Sequence, residues 1–353
     1  MEDKKLISKK KPIYPISSMM RDYLRKHGRF QDIPVNYSDL LRFEGGIDIF
    51  DEQGRDTLWL SVYYSESDRA ELNLSLKRMY SLLHADGSDS ILPYINIDSV
   101  DYCTFGNTKP FRIKVRNILN DNYVFLYVKR ADASRIYGLE IEHLLSPNHI
   151  NFAVYEETLI EEHISGIPGD QFIMDHLPDF SIQQKRALAK EFVKFNEGCF
   201  IRLLADMRSY NYVVVLTHDF DRIQYRIRAI DFDQQSFEGN PKVYKPQYLK
   251  ENLKLVQMTQ EVLERESVEQ YAKEERSLLA KRAWNERLRL QELLDCMKSD
   301  EISTPEKIEE LRSGLFDLTK DLKFKRSNNM GELLDSALQF VIRNYKNENP
   351  FLR

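Results

Sequence analysis

A cluster of breaker residues, Ser165-Gly166-Ile167-Pro168-Gly169, divides this chain into two stretches of different texture. Ahead of it, β-branched and aromatic residues recur at strand spacing; behind it, apolar residues recur at helical spacing, with one exception. A fold for this sequence must join a sheet-rich half to a helical half through a short linker. The expected class is α+β.

Within the sheet-rich half, strands are predicted over residues 98–104, 111–115 and 123–129. A helix follows over 133–145, stopped by Ser146-Pro147-Asn148, and then strands over 152–155 and 159–164. This order predicts a five-stranded antiparallel sheet with one helix laid on it, spanning residues 91–165. Residues 1–90 read as a separate extension. A short helix over 19–26 is followed by a hairpin, 46–50 and 57–64 around Asp51-Glu52-Gln53-Gly54. Ser65 and Asp68 then open a helix whose Leu72, Leu76, Met79, Tyr80 and Leu83 share one face as far as Gly87.

Residues 166–353 form the helical half. Ser181 and Gln184 cap a helix bearing Leu188, Phe192, Phe195 and Asn196 near one face. From Pro246 onward only helices are expected. The charged stretch 256–297 contains no Gly or Pro and has a broken apolar stripe. It reads as helices packed on the body, with a protruding coiled-coil arm as the alternative. Thr304-Pro305 opens another helix, and 331–345 is the last.

Composition narrows the function classes. The net charge of −5 over 353 residues shows no asymmetry beyond Lys4, Lys5, Lys9, Lys10 and Lys11, a tail read as a solvated end. No nucleic-acid partner is expected. Three cysteines, Cys103, Cys199 and Cys296, are too few and too scattered for a disulfide or zinc framework. Apolar runs stay shorter than a bilayer requires and no signal-type segment follows the lysines, so a cytoplasmic location without a membrane partner is expected.

The exception in the helical half carries the chemistry. Asp206 and Asn211 stand five apart, directly before the β-branched run Tyr212-Val213-Val214-Val215-Leu216. A hairpin returns through Tyr225-Arg226-Ile227-Arg228-Ala229-Ile230 to Asp231-Phe232-Asp233. In the other half, Lys129 ends the strand Tyr123-Val124-Phe125-Leu126-Tyr127-Val128, and the next helix bears Glu140 and Glu142. Taken in order, these segments resemble the protein-kinase-like superfamily. The resemblance lies nearest to its atypical branch of aminoglycoside phosphotransferase- and choline kinase-type enzymes, and covers about residues 95–240.

The resemblance implies a two-lobed fold and an enzyme that uses ATP and Mg2+ to phosphorylate a hydroxyl of a small molecule or a protein. Asp206 would be the catalytic base, and Arg208 would touch the transferred phosphate. Asn211 and Asp231 would hold the metal, with Asp233 a further metal ligand or a turn cap. Lys129 would hold the α- and β-phosphates, paired with Glu140 in preference to Glu142. The phosphate-covering loop would be 105–110, with Gly106 letting the backbone approach the phosphates and Lys109 or Thr108 supplying further donors. The stretch 159–166, with Glu162 and Ile164, would meet the adenine. Three departures stand out: Leu204-Ala205 replaces the usual His before the base, the loop has one glycine, and Asp233 replaces the Gly after Asp-Phe. The first two motivate an alternative, a nucleotide-binding pseudokinase or scaffold; a variant of the enzymatic reading, transfer of the nucleotidyl group, needs the same residues. A third reading, a helical interaction protein, expects the strands up to 164 not to join one sheet. Under the scaffold reading, a partner protein would dock on the N-terminal extension or the long C-terminal helix.

Overall fold

The computed structural model describes residue 7 and residues 11–85, 87–105, 108–219 and 222–348. Lys4, Lys5, Lys9 and Lys10 of the basic tail, and Gly106 of the expected phosphate loop, lie outside the described residues. The protein is α+β and divides into two compact units. The sheet unit comprises Arg21–Asp132 and Ile150–His163, and the helical unit Met1–Met20, Ala133–His149 and Ile164–Arg353.

Helix α1 (Ser18–Lys26) leads into the sheet unit, followed by α2 (Tyr37–Leu40), β1 (Gly45–Phe50), β2 (Asp56–Tyr63) and α3 (Glu66–His84). Next come β3 (Ile95–Cys103), β4 (Phe111–Asn117), β5 (Tyr123–Arg130), β6 (Phe152–Tyr155) and β7 (Thr158–Glu162). All seven strands form one antiparallel sheet in the order β1-β2-β3-β4-β5-β7-β6. Alternation decides which face is inside. Phe111, Ile113 and Val115 of β4 and Leu126 and Val128 of β5 pack with Ile33, Val35, Leu40 and the Leu72, Leu76 and Met79 of α3. Burying each such side chain contributes roughly 1.5–3 kcal/mol. On the opposite face, Arg112, Tyr127 and Glu161 stand abreast across β4, β5 and β7.

The five strands predicted between 98 and 164 do join one sheet, contrary to what the interaction-protein reading requires. The sheet nevertheless has seven strands, not five. The hairpin β1–β2 continues it through Ser61 and Asp101, and α3 covers its core face. Residues 1–90 therefore do not form a separate extension.

The helical unit contains α4 (Ala133–Leu145), β8 (Ile167–Pro168), α5 (Gly169–Asp175) and α6 (Ile182–Ile201). The hairpin β9 (Tyr212–Asp219) and β10 (Arg222–Ala229) pairs with β8 in a second antiparallel sheet, ordered β10-β9-β8. Helices α7 (Leu253–Val262), α8 (Arg265–Asn285), α9 (Arg287–Ser299), α10 (Pro305–Thr319), α11 (Leu322–Arg326) and α12 (Met330–Glu348) complete it. The expected Ser181–Gln184 capping box opens α6.

Three further expectations are revised. Helix α4, assigned from sequence to the sheet-rich half, belongs to the helical unit because its side chains are taken up by that unit's residues. The last strand of the large sheet stops at Glu162, leaving Ile164 in a half-buried linker. The stretch 256–297 is broken at Leu263-Glu264 and at Glu286 into α7, α8 and α9. These pack on α6, α12 and α4, so no single protruding arm forms. Among the described residues, no helix is long and apolar enough to cross a membrane.

Candidate active site

The loop between α6 and β9 buries its apolar residues and leaves the two groups where chemistry is expected partly open. Leu203, Leu204, Ala205 and Met207 are at most 2% exposed, whereas Asp206 and Arg208 reach partial exposure. Leu203 and Asp206 hold left-handed φ angles of 53° and 62°. For residues other than glycine such angles cost on the order of 1 kcal/mol each and persist only when the surroundings over-determine them. Backbone bonds do so here: Leu204 N donates to Cys199 O (2.9 Å), Ser236 N to Leu203 O (2.8 Å) and Arg208 N to Asp206 O (2.8 Å). The Nδ2 of Asn211 also donates to Asp206 O at 2.7 Å, leaving the Asn211 side-chain oxygen as the atom able to meet a cation.

The hairpin delivers the second acidic group. Ile230 N donates to Asn211 O at 3.0 Å, which fixes the residue before Asp231 beside the asparagine. Asp231 and Asp233 are then joined from an unexpected quarter. Nη1 of Arg135, on α4, donates to Asp231 Oδ1 at 2.8 Å and to Asp233 Oδ1 at 2.7 Å. The Arg135 side chain is only 1% exposed. Asp233 N also donates to Asp231 Oδ1, at 3.0 Å. Helix α4 reaches this segment because residue 138 is glycine: a Cβ there would lie 2.9 Å from Phe232 Cβ and 3.1 Å from Gln235 Cβ. Ser134 Oγ completes the seam by donating to Gln235 O at 2.7 Å.

Asp206 is electrostatically unusual. Burial pushes its carboxyl up from 3.8 to about 7; Arg208 opposes the rise, and Asp231, Glu251 and Glu238 add to it. Arg208 Nε stands 2.8 Å from Asp206 Oδ1, but off the hydrogen-bonding direction, so this buried oxygen has a charged neighbour and no hydrogen-bond donor among the described residues. Arg208 Nη1 donates instead to Tyr210 Oη at 2.7 Å. A carboxylate with a value near 7 and an unspent oxygen is suited to accept a proton.

The helical unit thus gathers Asp206, Arg208, Asn211, Asp231 and Asp233. No three His, Cys, Asp or Glu side chains converge as a ligand set among the described residues. The donors at hand are two carboxylates and one amide oxygen, with no thiol or imidazole. That set fits a hard divalent cation that keeps several waters.

The remaining predicted residues divide between the units. Lys129 is 8% exposed and pairs with Glu161, Nζ to Oε2, at 3.0 Å within the large sheet. Glu140 is fully buried in the helical unit and held by Arg289 Nη2 at 2.7 Å. Each half of the expected Lys129–Glu140 pair therefore has a different counter-ion, and Glu142 is taken by Arg202. Thr108 is half-buried beside Lys109, whose carbonyl accepts from Tyr37 Oη at 2.8 Å. Glu162 accepts from Asn151 Nδ2 at 2.9 Å. Ile164 opens the linker in which the chain leaves the sheet unit.

Sequence reasoning missed Arg135 and Glu161. The signal for Arg135 was weak: α4 carries Ser134, Arg135, Glu140, Glu142 and His143 among its apolar residues, so its sequence alone does not show that it is buried almost all round or that Arg135 needs a buried partner. Comparison of the chain with known protein families and with curated proteins found no match.

Proposed function

We propose that this protein is an ATP- and Mg2+-dependent phosphotransferase of two-lobed, kinase-like build, with Asp206 as its base. The observation that carries this reading is the Asp206 carboxyl. It sits on a strained, over-determined loop, its value is raised to about 7, and Asn211 and the Asp231–Asp233 pair lie beside it in the same unit. Phosphoryl transfer asks mainly for positioning and charge neutralisation, and these residues supply both. Asp206 would take the acceptor hydroxyl's proton as its oxygen bonds to the γ-phosphorus and the bond to the β-phosphate oxygen breaks. Arg208 would meet the charge that collects on the transferred group. Mg2+, when bound, supplies charge neutralisation between the phosphates, and Asn211 and Asp231 are the residues that would hold it. A cytoplasmic location accords with three free cysteines.

Asp206→Asn is expected to lower transfer by roughly 10²–10⁴-fold while leaving nucleotide binding intact. Thermal shift with ATP, with and without Mg2+, reads binding. Mass spectrometry of candidate acceptors reads transfer and separates an added phosphate from an added nucleotide. No stabilisation by any nucleotide would sink the reading. A second reading, nucleotide binding without turnover, is favoured by the Arg135 clamp, which offsets one of the two charges of the Asp231–Asp233 pair without a metal. Binding without transfer, unchanged in Asp206→Asn, would select it.

A further inference from the structure

We infer that Arg135 is a resident cation of the acidic pair, so that Asp231 and Asp233 accept a single divalent ion where two could otherwise be held. This rests on the phosphotransferase reading and adds a positioning residue that the sequence did not offer.

Sites that hold a pair of divalent ions bridge them with shared carboxylates a few ångströms apart. Here one guanidinium nitrogen already stands between the carboxylates, within 2.8 Å of one Oδ1 and 2.7 Å of the other. Arginine stays protonated at any working pH, so this charge is permanent. It is also tethered. The side chain is 1% exposed, and α4 is held against the same segment by the Gly138 approach and the Ser134 bond to Gln235 O. Two carboxylates with one guanidinium leave a net single negative charge. Asp231, whose side chain is 36% exposed, is the member of the pair that an incoming ion reaches, beside Asn211. A second ion would have to displace a buried cation fixed to the chain.

The test counts Mn2+ bound to the full-length protein by electron paramagnetic resonance, with a non-hydrolysable ATP analogue at saturation. The wild-type protein is expected to bind one Mn2+, as is Arg135→Lys, which keeps the charge. Arg135→Met removes the resident cation and is expected to bind a second Mn2+. Two ions on the wild-type protein would overturn the inference and leave the phosphotransferase reading standing. Failure of the wild-type protein to bind the Mn2+–nucleotide complex at all would overturn that reading, and the inference with it. If Arg135→Met folds, by circular dichroism, and still binds one ion, Arg135 is only a structural counter-ion. If it does not fold, the wild-type and Arg135→Lys counts decide, and two ions on either would sink the proposal.

Discussion

At the scale of single residues, Asp206 links stability to chemistry. Its folded value of about 7 lies above the ordinary 3.8, because burial disfavours the charged form. Between those values the folded state binds more protons than the unfolded chain. Stability therefore falls as pH rises from about 4 to about 7 and then levels, by up to about 4 kcal/mol. Asp206→Asn should flatten that slope, leaving the variant roughly 1–3 kcal/mol more stable than wild type at pH 8. Urea unfolding at pH 4.5 and pH 8 checks this; a wild-type slope retained in Asp206→Asn would refute it. The acidic residues were legible because their spacing around a hairpin survives in one dimension. Arg135 lies about 96 positions from Asp231, a separation with no local signature.

Among elements, α4 was found correctly and placed wrongly. Its boundaries, 133–145, follow from the apolar pattern and the Ser146-Pro147-Asn148 stop. Which body it joins depends on contacts with residues 60 to 149 positions away, through Ser134, Arg135, Gly138, Glu140 and Glu142. The closest of these contacts yields a prediction. Gly138→Ala places a methyl group 2.9 Å from Phe232 Cβ, where neither backbone can yield freely. A loss of about 1–3 kcal/mol is expected. Urea melts read the effect, and an unchanged melt would contradict the packing argument. The strands tell a similar story. Alternation located them, but it carries no record of which strand lies beside which, so the β1–β2 hairpin looked independent when it continues the large sheet.

For the whole molecule, that continuity bears on where the chain can be shortened. A truncation beginning at residue 91 would remove β1, β2 and α3, stripping Leu72, Leu76 and Met79 from the sheet's core face. Ile95, Ile97, Val100 and Ile113 would then face water. The shortened protein is expected to aggregate or bind a hydrophobic dye, whereas an independent N-terminal extension would leave it monomeric. Light scattering during refolding distinguishes the outcomes. The linker offers a contrasting cut. Ser165 and Gly166 are exposed, and proteolysis there would leave one piece carrying the large sheet together with α4, and another carrying β8 to α12. Twelve of the thirteen residues of α4 are buried, and its charged groups are spoken for by residues of the second piece. The nicked halves should therefore behave as complementing fragments, co-eluting after the peptide bond is gone and separating in a denaturant that frees α4 from its socket.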